Sequence, residues 1–171
     1  MPLFAYEESE SQIIRNMESV GLRLGQWPKS GQLRFSTARP ALYGLEMHLV
    51  RMHDEVRTFK PDVVVIDPLT SLAGAGSTED VLALMTRMVD FFKVNRITAM
   101  MTSLATGGNP QNVSDVGVSS LTDTWIVLRD VRSGSSRHRA ITIVKSRGMA
   151  HSDDTRDFRI TDRGIRLVGG G

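Results

Sequence analysis

Three places in the chain put oxygen-bearing side chains directly after apolar runs, and each could do phosphate or metal chemistry. Glu7-Glu8 follows Leu3-Phe4-Ala5-Tyr6, Asp67 follows Val63-Val64-Val65-Ile66, and Thr102-Ser103 ends the run that starts at Ile97. In an open parallel sheet ligands collect at the carboxyl ends of strands, so these positions share one edge if the runs are neighbouring strands. A carboxylate after four apolar residues has the form of a Walker B strand, able to hold Mg²⁺ through water because a hard cation prefers oxygen ligands. A glutamate nearby could act as a general base on a water or hydroxyl. Plainer explanations stand beside these. Asp67 could merely end a strand, Glu7 and Glu8 could open a helix whose dipole favours acidic residues, and Thr102 and Ser103 could cap one.

Bringing such groups together requires alternating strands and helices, and the apolar periodicity supplies them. After the strand ending at Tyr6, the acidic stretch from Glu7 opens a helix with Ile13, Met17 and Val20 at three- to four-residue spacing, ending near Gly21. A turn-rich connection over 25–31 leads to a short strand over 33–36 and a second helix over 42–59 with Leu45, Leu49, Met52 and Val56 on one stripe. Pro61 stops it. The run Val63 to Ile66 is apolar on both faces, as expected of a parallel strand covered on each side. Thr78 is the expected cap of a third helix with Val81, Leu84, Met85, Met88, Val89 and Phe92 buried. A strand over 97–102 follows. This order implies a mostly parallel sheet with right-handed crossovers. Beyond it, the runs 124–131 and 138–145 flank Arg132-Ser133-Gly134-Ser135, and Phe158-Arg159-Ile160 and Ile165-Arg166-Leu167 flank Asp162-Arg163-Gly164. Both are hairpin signals, and these antiparallel strands are expected to extend one sheet edge.

Bulk properties narrow the function classes. At 171 residues and 40% hydrophobic, the chain can bury one substantial core, here assigned to residues 1–168, with Gly169-Gly170-Gly171 a flexible tail. A formal charge of +2 is no basic field, although Arg129, Arg132, Arg137 and Arg139 form a local cluster that keeps single-stranded nucleic acid as a remote alternative. With no cysteine there are no disulfides or thiolate metal sites, which suits a cytoplasmic location. No apolar run approaches the roughly 20 residues that span a bilayer, and Met1 to Tyr6 is too short and uncharged for a signal peptide, so no membrane partner is expected. His48, His53, His138 and His151 lack metal-ligand spacing, and no G-x-S-x-G elbow accompanies the serines.

Four motifs in register carry a resemblance. Phe4-Ala5-Tyr6-Glu7-Glu8-Ser9 with Gln12 and Arg15-Asn16 is the first, and Val63 to Asp67 with Pro68-Leu69-Thr70-Ser71-Leu72 is the second. Ser119-Ser120-Leu121-Thr122-Asp123-Thr124 and Val144-Lys145-Ser146-Arg147-Gly148-Met149-Ala150-His151-Ser152 complete the set. Together they resemble, from about Leu3 to Leu167, the KaiC family of circadian-clock ATPases. The resemblance implies an α/β, RecA-like P-loop NTPase core of three layers, mostly parallel with antiparallel carboxyl-terminal strands. It implies hexamers that bind ATP and Mg²⁺ between subunits. Glu7 and Glu8 match the family's catalytic pair and Asp67 its Walker B aspartate. Lys145, Ser146, Arg147 and Gly148 match the segment that reaches a nucleotide held by the adjacent subunit. Thr102 and Ser103 fit a sensor position. Ser119 and Ser120 occupy the place of the hydroxyl pair that autokinase members phosphorylate, and turn hydroxyls are equally compatible with that place. His151, inside the basic motif, is expected to serve packing or an interface.

No G-x-x-x-x-G-K-[ST] occurs in the 171 residues. That loop supplies convergent N–H groups and a lysine for the phosphates, so weak or absent ATP binding by this chain alone is expected. The resemblance implies that the loop lies on the segment just before Leu3, between a central first strand and the helix that follows it, so a gap or an exposed sheet edge is expected in its place. Two functional expectations follow. One is an ATPase or serine/threonine autokinase fragment completed by a phosphate-binding loop. The other is a non-catalytic module that assembles with intact KaiC-like subunits or signalling proteins and regulates them.

Overall fold

A computed structural model of the chain describes residues 1–39, 42–104, 120–133 and 136–168. Ser119, the 134–135 part of the expected hairpin turn and the glycine tail therefore lie outside the described residues. Two compact units emerge: Met1–Arg15 with Leu24–Leu121, and Asn16–Arg23 with Thr122–Gly171. The division passes within helix α1, Glu10–Ser19.

The first unit is built on strands β1 (Pro2–Ala5), β2 (Arg34–Thr37), β3 (Val63–Asp67) and β4 (Thr98–Met101). They run in the order β2-β1-β3-β4 with every neighbouring pair parallel, as the alternation of elements predicts. A single-turn helix, α2 (Gln26–Lys29), interrupts the stretch expected to be turns. The long helices are α3 (Leu45–Phe59) and α4 (Thr78–Val94). Leu45, Leu49, Met52 and Val56 of α3, with Leu84, Met85, Met88 and Phe92 of α4, pack on Phe4, Val64 and Ile66 of the sheet. That is the helical spacing anticipated from the sequence, now seen as one apolar core.

Helix boundaries differ from expectation for local reasons. The cap of α4 is Ser77, one residue before Thr78. Its hydroxyl accepts from the Asp80 N–H at 3.2 Å, while its own N–H donates to Asp80 Oδ2 at 3.3 Å, a reciprocal pair that Thr78 could not make. Helix α3 starts at Leu45, after an extended Gly44, because Leu42 is 70% exposed and lies off the buried stripe.

The second sheet face is less covered than the apolar run Val63 to Ile66 suggests. Val64 and Ile66 are inaccessible on the helix side, yet Val63 is 36% exposed, and Met100, the register partner of Val65, is 60% exposed. Among the described residues β4 is a sheet edge.

In the second unit, β5 (Thr124–Ser133), β6 (Ser136–Ser146), β7 (Arg156–Thr161) and β8 (Gly164–Val168) form an antiparallel sheet of their own. These strands were expected to extend an edge of the parallel sheet. Instead β5 and β6 pair from Thr124↔Ser146 to Ser133↔Ser136 with one register shift between Trp125 and Ile126, and β7 and β8 add to the other edge of β6.

Candidate functional site

The carboxyl ends of the parallel strands converge through their backbones. The Tyr6 N–H donates to the Asp67 carbonyl at 3.0 Å, the Thr102 N–H to that of Ile66 at 3.0 Å, and the Leu69 N–H to that of Thr102 at 2.8 Å. These bonds carry the pairing past the ends of β1, β3 and β4, which brings Glu7, Asp67 and Thr102 to one rim. Tyr6 anchors its strand end. It is 5% exposed, its ring meets His48 edge-on at 5.4 Å, and burial pushes its hydroxyl pKa well above the ordinary value against a smaller opposing effect of Arg51. His48, itself 2% exposed, also meets the Tyr43 ring edge-on at 6.0 Å.

Glu7 and Glu8 precede helix α1 instead of forming its first turn. Ser9 is the capping residue: its N–H donates to Gln12 Oε1 at 2.9 Å and its hydroxyl accepts from the Gln12 N–H at 3.4 Å. Glu10 is the acidic residue of the first turn. Helix-start electrostatics therefore accounts for Glu10, and leaves the two glutamates before it to be explained by the strand end they follow.

Two of the carboxylates here, Asp67 and Glu7, each receive a hydroxyl from a distant part of the chain. Thr102 Oγ1 donates to Asp67 Oδ1, a short contact in half-buried surroundings, and Ser71 Oγ donates to Glu7 Oε1 at 2.7 Å. Glu7, Glu8 and Asp67 line a single cleft of about 130 Å³ together with Ala5, Ile13, Pro68 and Leu104. Asp67 and Glu7 each keep a second oxygen with no partner among the described residues. Ser103 is exposed beside Thr102.

This donor set fits a Mg²⁺ ion held through water by one or two carboxylates, since Mg²⁺ keeps most of its hydration and takes further ligands from substrate phosphates. It does not make an all-protein cage: among the described residues no group of three His, Cys, Asp or Glu side chains is arranged to hold a metal ion by itself. The cleft is also smaller than the roughly 300–1,000 Å³ typical of small-molecule sites, so it can hold only part of a nucleotide.

The second unit presents the basic segment at a strand end. Lys145 and Ser146 finish β6 opposite Trp125 and Thr124, and the Ser146 and Thr124 hydroxyls lie 3.1 Å apart. The chain then turns through Gly148 at φ +72°, a backbone region that L side chains rarely adopt. Arg147 is tied to Asp123 twice, by its N–H to the Asp123 carbonyl at 2.8 Å and by its guanidinium to the carboxylate at 3.8 Å. His151 lies 3.8 Å from the Asp153 carboxylate. Ser120 is exposed. Elsewhere in this unit a larger cavity of about 440 Å³ is lined by Asp130, Arg137, His138 and Arg139 among others, where Asp130 accepts two hydrogen bonds from Arg137. That bonding holds the Asp130 carboxyl below the usual carboxylate range.

Sequence reasoning missed the hydroxyl on Glu7. Ser71 stood in a quoted motif without a role, and the available signal was a hydroxyl in the turn that follows the Asp67 strand end.

Comparison with known proteins gives one family. A family model described as "ATPase: KaiC" matches residues 3–170. The chain is similar to circadian clock protein KaiC2 of Synechocystis sp. (strain ATCC 27184 / PCC 6803 / Kazusa), 42% identical over 167 residues that make up 96% of this chain and 29% of that protein. It is 34% identical over 168 residues to circadian clock oscillator protein KaiC of Thermosynechococcus vestitus, covering 96% of this chain and 32% of the relative. For circadian clock oscillator protein KaiC of Synechococcus elongatus the figures are 33% over 163 residues, 95% and 31%. The chain thus spans about a third of the length of the curated relatives it matches. Among the described residues no helix is long and apolar enough to cross a membrane.

Proposed function

Because the chain belongs to the KaiC family of ATPases, we propose that it forms the carboxylate-bearing part of an ATP-hydrolysing site, with nucleotide held between neighbouring subunits of a ring. The observation that carries this reading is the single cleft shared by Glu7, Glu8 and Asp67 at the carboxyl ends of parallel strands. In it Glu7, through the oxygen that Ser71 does not occupy, takes a proton from the attacking water. The water oxygen bonds to the γ-phosphorus as the bond to the ADP oxygen breaks, and the displaced charge passes to ADP. Asp67 would hold Mg²⁺ through water, and the ion when bound would neutralise β- and γ-phosphate charge. Lys145 and Arg147 act on the nucleotide of the adjacent subunit, with Ser146 and Gly148 shaping the turn, because a half-buried lysine and an exposed arginine at a strand end can approach a phosphate across an interface. Thr102 senses the site through Asp67, and Ser103 lies next to it. Where a serine hydroxyl takes the place of water, the same base supports phosphorylation of Ser119 or Ser120.

The test joins this chain to a segment carrying a G-x-x-x-x-G-K-[ST] loop. Magnesium-dependent ATP turnover is expected, falling at least about 100-fold in E7Q. Absence of turnover in a folded, loop-bearing protein would count against hydrolysis. The small volume of the cleft favours a second reading, a module that regulates an intact KaiC-like ring. If the 171-residue chain joins such a ring and changes its ATPase rate while remaining inactive with its own loop supplied, that reading replaces the first.

A further inference from the structure

Resting on the assignment of Glu7 as base, we propose that Ser71 is a positioning residue that aims the Glu7 carboxylate. Glu7 is exposed, and an exposed glutamate samples several rotamers unless a partner holds it. Ser71 Oγ donates to Glu7 Oε1 at 2.7 Å across 64 residues of sequence. A charge-assisted bond of this kind selects one orientation of the carboxylate and directs the other oxygen outward.

Ser71 is suited to the task because its own position is held. It lies in the 3-10 turn Leu69–Ala75, between Leu69 and Leu72, which are 4% and 0% exposed and belong to the core. The same turn is bonded to the end of β4, where the Leu69 N–H reaches the Thr102 carbonyl at 2.8 Å. Its hydroxyl is not used for capping, since the residue before the turn is Pro68 and no side-chain cap bond is made there. The hydroxyl therefore couples a rigid element to a carboxylate that sits outside any helix. General-base catalysis depends on such alignment more than nucleotide affinity does, so the residue should act on kcat and not on KM.

The experiment compares S71A, S71T and E7Q in the loop-bearing protein, and S71A with S103A in the 171-residue chain. S71A is expected to lower kcat about tenfold with KM for ATP within about twofold, and S71T to recover kcat to within about threefold. In the 171-residue chain the ¹³C resonance of the Glu7 side-chain carboxyl should move in S71A and stay in S103A. A kcat for S71A within twofold of the parent overturns the inference. So does an unmoved Glu7 resonance, or a loss that S71T shares together with a lowered melting temperature. If instead the resonance moves while E7Q retains full turnover, Glu7 is not the base and the functional reading fails, leaving a hydrogen bond without catalytic purpose.

Discussion

In the parallel-sheet unit, the candidate carboxylates Glu7, Glu8 and Asp67 stand beside a closed apolar core. In the antiparallel unit, the cations stand on a sheet most of whose large apolar residues are open to solvent. Met52, Val64, Ile66, Leu72 and Met88 are all 0% exposed, whereas Leu128, Ile165 and Leu167 are 58–65% exposed. The hydroxyls that hold Glu7 and Asp67 are carried by elements packed on that core, so their directions are set. The Arg137–Asp130 pair, with side chains 65% and 41% exposed, is screened by water and contributes little stability by itself. The difference teaches that polar side chains anchored to a closed core keep fixed directions, while an ion pair open to solvent is weakened by it.

The sharpest way to break this comparison is to remove one apolar side chain from each region. F92A, at a residue 2% exposed, should cost about 3–5 kcal/mol in urea unfolding, while L128A, at one 60% exposed, should cost under about 1 kcal/mol. Equal losses would mean that the antiparallel sheet has a covered face after all.

Two glycines sharpen the contrast within the second unit. Gly21, at φ +82°, has the Asp162 carbonyl oxygen 2.1 Å from where a Cβ would sit, whereas Gly148, at φ +72°, has nothing within 4 Å. G21A therefore combines backbone strain with a clash against main chain and should destabilise by more than about 2 kcal/mol. G148A carries the conformational penalty alone, about 1 kcal/mol. Thermal unfolding of the two variants side by side measures the difference.

The smallest expected effect is a pH dependence in the first unit. His53 stacks on Phe91 with ring centroids 3.9 Å apart, and its buried Nε2 has no hydrogen-bond partner. Burial first, then the nearby Arg57, lowers its pKa below the ordinary value, against a smaller raising effect of Asp54. The unfolded chain thus binds this proton more readily than the folded one. His53 supports the fold fully above the ordinary histidine pKa of about 6.5, and that support is lost as pH falls through it toward the lower folded value. Urea midpoints should decline over that window in the parent and decline less in H53F. Parallel curves would dismiss the effect.

Much of the fold was legible because its signals are local. The stripes of α3 and α4, the strand ending at Asp67 and the hairpin before Gly164 follow from periodicities and turn residues within a few positions of one another. Where a nearby competitor existed, the local signal was ambiguous: Ser77 took the cap from Thr78 because only Ser77 has Asp80 three residues ahead. The candidate carboxylates were legible as residue types at strand ends, and Glu7, Glu8 and Asp67 line one cleft.

The sequence by itself determined which residues end up at strand ends and helix faces, because side-chain period and capping act over a turn or two of chain. Only the tertiary structure decided that Ser71 would hold Glu7 and Thr102 hold Asp67, pairs 64 and 35 residues apart. It also decided that the last four strands would form their own sheet. Such choices depend on which elements become neighbours, and closing long loops is settled by the packing of the whole core and not by any short stretch of it.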